Sequence, residues 1–187
     1  MEGLERIRER LSKGWTGTLF SVLLAAVLAF AFYKLLGLAL GTTMPLVAVY
    51  SHSMTHANAE KNHYQWLEKN FNYSREFVCS WPFPNGIEVG DMPVVAKSDE
   101  YKIGDVVVYL IPQSRYPIIH RIVAKNEDGT FLTKGDNNPS LDVDCNALGC
   151  KPRRVSVEQI EGRVIFIIPK LGYFKVLLTK VLEFFGG

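Results

Sequence analysis

Between Thr16 and Leu40 the chain runs 25 residues with a single charge, Lys34, and no other stretch restricts its fold as much. A helix needs about 20 apolar residues to cross a hydrocarbon core, so this run is long enough to span. Lys34, near one end, can extend its ammonium toward the headgroups. A cleaved secretory leader is the competing reading, because Ala39-Leu40-Gly41 offers small residues; leader cores are shorter, however, at roughly 7–15 residues. Arg6, Arg8, Arg10 and Lys13 precede the span, and no Lys or Arg stands between Lys34 and Lys61. The positive-inside rule then puts the N-terminus in the cytoplasm and everything after Gly41 outside. The expected parts are a cytoplasmic segment over 1–15, an anchor over 16–40, one extracytoplasmic domain over 41–170 and a last segment over 171–187.

From Met92 onward the pattern is of short β segments separated by turns: Pro93 to Ala96, Asp105 to Ile111, Ile118 to Ala124, Thr130 to Thr133 and Gln159 to Ile168. Strands do not alternate with helices, which favours a mainly β, antiparallel domain over an α/β fold. Lys175, Lys180 and Glu183 interrupt the final apolar stretch too often for a second span. On a helical wheel they oppose Leu171, Phe174, Leu178, Val181 and Phe185, as in an amphipathic helix lying on a membrane surface. A net charge of +2 with no basic run gives no reason to expect nucleic acid. Cys145 and Cys150 bracket a short loop and would pair in an oxidising compartment, leaving Cys79 single; three free thiols is the open alternative.

Just beyond the anchor stands Val49-Tyr50-Ser51-His52-Ser53-Met54. In an extended strand Ser51 and Ser53 share a face, so one hydroxyl can attack while the other helps hold an oxyanion. Alone, such a pattern is commonplace. It gains weight from Ile119-His120-Arg121-Ile122, then Lys134-Gly135-Asp136-Asn137-Asn138, then Asp142. A serine needs a base to take its proton, imidazole titrates near neutral pH, and a carboxylate holds the ring in the right tautomer. Asp136, Asp142 and Asp144 are the candidates for that carboxylate. Metal catalysis is not expected: His52 and His56 are four apart, but no Glu follows His52 as in a helical zinc protease, and the flanks look extended.

Together these pieces resemble type I signal peptidases of the archaeal and endoplasmic-reticulum kind, serine peptidases of family S26. The Ser-x-Ser-Met motif is matched by Ser51 to Met54, the His-Arg pair by His120 and Arg121, and the Lys-Gly-Asp-Asn-Asn string by Lys134 to Asn138. The resemblance implies a coiled antiparallel β catalytic domain with an N-terminal transmembrane helix and a C-terminal amphipathic helix. It implies Ser53 as nucleophile, His120 as base, Asp142 closing the triad and Asp136 bracing the site. The Ser53 N–H and the Ser51 hydroxyl would form the oxyanion hole, with no cofactor. The implied activity is removal of N-terminal signal peptides from secreted preproteins after small residues. Its implied partners are those signal peptides, the lipid bilayer and the protein translocation machinery. An archaeal cell membrane is preferred to the endoplasmic reticulum as host. The alternative is a catalytically silent, membrane-anchored β domain that binds or assembles envelope proteins.

One stretch departs from the family. Members usually place a proline two residues after the Met and run almost directly into a Gly-Asp turn. Here Thr55-His56 stands instead, and residues 55–88 intervene before Val89-Gly90-Asp91. This insertion is rich in aromatics, with a helix expected over Ala57 to Phe71 and a turn-rich exit over Trp81 to Gly86. It reads as a lid or side wall near the site, or else as an insertion packed on itself.

Overall fold

The computed structural model describes residues 15–112, 116–146 and 149–173. They form two units, one ending at Ala39 and one beginning at Leu40. The first is α1, Trp15–Leu40, of which Gly17–Leu40 is long and apolar enough to cross a membrane. At 1.5 Å per residue, 26 residues extend about 39 Å, more than a hydrocarbon core requires. Leu19, Val22, Leu23, Val27 and Phe30 on this helix are exposed. The cytoplasmic segment expected over 1–15, apart from Trp15, and the amphipathic helix expected over 171–187, apart from Leu171 to Tyr173, lie outside the described residues.

The second unit is built on an antiparallel sheet. The five expected strands form within two residues of their expected bounds: β1 Met92–Ala96, β2 Val106–Tyr109, β3 Ile118–Lys125, β4 Phe131–Lys134 and β7 Ile160–Ile168. Their order is β1-β7-β2-β3-β4. Pairing slips at Val94/Val95, Val108/Tyr109 and Ile122/Ala124, and such bulges bend and coil a sheet. A separate hairpin pairs β5, Val143–Asn146, with β6, Gly149–Pro152, and the Cys145–Cys150 disulfide ties it across. Cys79 is free and exposed. The hairpin had no signal in the sequence because both of its strands are exposed throughout, so no apolar alternation marks them.

Strand β2 lies at the middle of the sheet and is buried on both faces, which explains its unbroken Val-Val-Val-Tyr. One face packs Val107 and Tyr109 with Ile122, Phe131, Val155 and Ile160. The other packs Val106 and Val108 with Val47, Val49, Met54 and Val164. An extended segment ahead of the serines joins that second layer, with Val47 N–H donating to Pro93 C=O at 3.1 Å and Val49 N–H to Asp91 C=O at 3.0 Å. On β3, His120 pairs opposite Val107 and Arg121 opposite Val106. Consecutive strand residues point to opposite faces, so the His-Arg pair serves two different layers.

The insertion forms a π-helical stretch Glu60–Gln65, α2 Trp66–Phe71 and α3 Arg75–Cys79. Asn72 ends α2 in the left-handed region at φ 57°, and the Ser74 hydroxyl caps α3 by accepting from Phe77 N–H at 3.2 Å. Leu67, Val78 and Trp81 are buried against Val123 of β3, with Leu132 and Leu141 beside them. The insertion is therefore a wall laid on the Arg121 face of the sheet, and its aromatics also pack on one another, with Phe71 stacked on Tyr73 and both Tyr73 and Phe77 edge-on to Trp81. Each large apolar side chain in that layer contributes about 1.5–3 kcal/mol, and a domain's whole stability is about 5–15 kcal/mol. Replacing residues 57–86 by a short turn should thus abolish cooperative thermal unfolding of the second unit. A truncated protein with a sharp melting transition near the parent's would contradict this.

Candidate active site

On one face of β3, His120 meets a carboxylate. Its Nδ1 lies 2.7 Å from Asp142 Oδ2, and the two side chains are 11% and 9% exposed. The same oxygen accepts hydrogen bonds from Tyr109 Oη at 2.9 Å and Thr133 Oγ1 at 2.7 Å, supplied by β2 and β4. Burial pushes the Asp142 carboxyl up, but the hydrogen bond and charge of His120, helped by Thr133 and Tyr109, outweigh it and hold it below the usual carboxylate range. Burial, and then the Asp142 charge, push the Tyr109 phenol up, so it stays a donor. The Asp142 backbone is clamped as well: its N–H donates to Thr133 C=O at 3.0 Å and its C=O accepts from Arg153 N–H at 2.8 Å. An ionised carboxylate accepts from Nδ1–H, which leaves Nε2 as the ring's acceptor.

Ser51 is extended, but His52–Met54 is a 3-10 turn, so the single strand expected there does not form. The turn, not strand alternation, brings the Ser51 and Ser53 hydroxyls to 3.1 Å. Met54 plugs the turn into the core, and the N–H and hydroxyl of Thr55 both donate to His52 C=O at 3.2 and 3.0 Å. Gly135 joins the turn and His120: a Cβ there would stand 2.7 Å from Ser53 O and 2.9 Å from His120 Nε2. Any larger residue would have to push one of them away. Asp144 is not brought to His120; it pairs with Arg153 at 2.6 Å on the exposed hairpin.

The opposite face of β3 holds the other aspartate. Arg121 and Asp136, each 1% exposed, form a two-pronged pair, with Nε donating to Oδ1 at 2.9 Å and Nη2 to Oδ2 at 2.7 Å. Arg121 also donates to the carbonyls of Pro82 at 2.7 Å, Gly104 at 2.8 Å and Phe83 at 3.2 Å. Burial pushes the Asp136 carboxyl up, but Arg121 overrides it and holds the group well below the usual range. His56 Nε2 bonds Asp136 Oδ2 at 3.0 Å, and His63 Nδ1 lies 3.4 Å from Oδ1. Burial brings His63 down to about 4, with Arg121, His56 and Lys134 adding to it against Asp136. His52, four positions before His56, is exposed and stands apart from this cluster; the companions of His56 are His63 and Asp136, 7 and 80 positions away.

The donor atoms of His56, His63 and Asp136 all lie within 4.8 Å of one another, a spacing that admits a metal ion. Charge argues otherwise. Both Asp136 oxygens already accept from Arg121, and the Lys134 ammonium is 3.3 Å from Asp136 C=O, so an added cation would meet two positive groups. The cluster is better read as a buried hydrogen-bonded brace. Breaking a buried ion pair from one side costs about 3–5 kcal/mol. Asp136→Asn should therefore lower the thermal midpoint by roughly 10 °C or more, as measured by circular dichroism. A midpoint unchanged from the parent would refute the brace.

No family model matches the chain. Its similarity to curated proteins is nevertheless extensive. It is 31% identical over 155 residues to the signal peptidase complex catalytic subunit sec11 of Sclerotinia sclerotiorum, covering 81% of this chain and 74% of that protein. To the corresponding SEC11 of Scheffersomyces stipitis it is 30% identical over 162 residues, or 85% and 80% of the two chains. To that of Ogataea parapolymorpha it is 27% identical over 192 residues, or 95% and 89%.

Proposed function

This chain belongs to the type I signal peptidase family, and from that premise we infer that it cleaves signal peptides as a membrane-bound serine endopeptidase. Ser53 Oγ attacks the scissile carbonyl while His120 Nε2 takes its proton. Asp142 holds the ring through Nδ1–H and offsets the imidazolium charge. The Ser53 N–H and the Ser51 hydroxyl, released from its partner at 3.1 Å, receive the oxyanion. His120 then passes the proton to the leaving amine, and water hydrolyses the acyl-enzyme by the same route. An extended substrate held by backbone pairing, with room only for small side chains before the cut, fits such a site. The observation that carries this reading is the 2.7 Å His120–Asp142 contact, steadied by Tyr109 and Thr133.

On this reading 16–40 span the bilayer and 41–170 carry the chemistry outside. The relatives are named as catalytic subunits of a signal peptidase complex. Their names point to the endoplasmic reticulum in place of the archaeal cell membrane expected from the sequence, and to a complex as the working form. They do not favour a catalytically silent β domain. The test uses the full chain in lipid vesicles with a model preprotein, and product masses read the cut. One cleavage after a small residue is expected. An intact preprotein under conditions where the protein is folded would overturn the assignment.

A further inference from the structure

We propose that Asn137 is a positioning residue for the nucleophile turn and that the insertion exists to hold it there; the proposal rests on Ser53 being the nucleophile. The turn His52–Met54 is short and partly exposed, and its internal support is the pair of Thr55 bonds to the His52 carbonyl. Asn137 supplies two further bonds from across the site. Its backbone N–H donates to Ser53 C=O at 2.8 Å, and its Nδ2 donates to His52 C=O at 3.1 Å. The carbonyls on either side of the Ser53 Cα are thus held by one residue of the loop that also carries Gly135.

Asn137 is itself held from the insertion. Asn62 Nδ2 donates to Asn137 C=O at 2.7 Å, and Asn58 Nδ2 lies 3.3 Å from Asn137 Oδ1. Asn58 and Asn62 are four apart, with Asn62 N–H donating to Asn58 C=O at 2.9 Å, so their side chains share one side of a helical turn. With Oδ1 facing one donor and Nδ2 facing a carbonyl, the Asn137 amide has one satisfactory orientation. Lys134 locks the two segments together: its ammonium donates to Asn62 C=O at 2.5 Å, Gly135 C=O at 2.9 Å and Asp136 C=O at 3.3 Å, and sits 5.0 Å above the Trp66 ring. The insertion, this loop and the serine turn therefore form one hydrogen-bonded chain. It fixes where the Ser53 hydroxyl points relative to His120.

Two substitutions test this in the full chain in vesicles. Asn137→Asp keeps size and the acceptor for Asn58 but turns the donor at His52 C=O into an oxygen. Asn62→Ala removes a donor from the insertion while leaving the carbonyl that Lys134 uses. Misplacing a reacting group by about 1 Å costs on the order of 10²-fold. Asn137→Asp should therefore lower kcat about 10- to 100-fold, and Asn62→Ala several-fold, with KM and thermal midpoint near the parent's. Labelling of Ser53 by a serine-directed acylating probe should slow in parallel, and amide exchange over residues 53–55 should quicken. Parent-like kcat and exchange in both variants would overturn the proposal. So would a kcat loss that vanishes when rates are expressed per folded molecule. If exchange quickens while preprotein cleavage survives Ser53→Ala, the brace stands and the catalytic assignment falls instead.

Discussion

Ser53→Ala should reduce cleavage of a model preprotein by about 10⁶-fold in kcat, which is the size of loss seen when a serine protease loses its nucleophile. The change removes one oxygen from a half-buried side chain whose hydroxyl is 3.1 Å from that of Ser51. Folding depends little on that oxygen, because the turn is held by Met54 in the core and by backbone bonds from Thr55 and Asn137. The thermal midpoint should stay within a few degrees of the parent's, and the variant should still bind preprotein. The residual rate left by oxyanion stabilisation and binding is about 10³–10⁴-fold above water and needs single-turnover conditions to be seen. Turnover within tenfold of the parent, by a variant shown to be folded, would put the nucleophile elsewhere.

Asp142→Asn should lower kcat by about 10³-fold while leaving the melting midpoint near the parent's. Losing a triad carboxylate costs about 10⁴-fold when the ring also settles in the wrong tautomer. Here Tyr109 and Thr133 both donate to the oxygen that faces His120 Nδ1. Their hydroxyls favour placing the variant's amide oxygen at that position, so the tautomer survives and the lost quantity is the charge opposite the imidazolium. Removing one preorganised electrostatic partner costs about 10²–10³-fold. A loss of 10⁴-fold or more would show that the amide has flipped and offers its NH₂ to the ring. Asp136→Asn provides the contrast, since its effect falls on stability. Should Asp136→Asn prove the stable but inactive variant, the roles of the two aspartates are exchanged.

Much of this was legible without coordinates because it rests on local pattern. The apolar run of α1 needs only length and composition, and four of the five strands of the main sheet, β4 being the exception, carry β-branched runs wherever they pair. Ser53 and His120 stand in short motifs readable as they are. The exposed β5–β6 hairpin was not legible, since nothing buried patterns it. Nor was the serine turn, where a 3-10 turn replaces the strand that spacing suggested. The insertion announced its aromatics but not the surface they cover, which belongs to β3 and β4, far along the chain at Val123 and Leu132.

By itself, then, the sequence determined an apolar segment long enough to span a membrane, an antiparallel β domain and the candidates for the reacting groups. Only tertiary structure decided which aspartate serves which partner. Asp136 and Asp142 are six residues apart and chemically identical, and nothing local distinguishes them. The separation comes from β3, whose pleat sends His120 to the layer of Tyr109 and Thr133 and sends Arg121 to the layer under the insertion. Each carboxylate then takes its role from the charge and donors that its layer supplies, and those donors lie between 9 and 80 positions away.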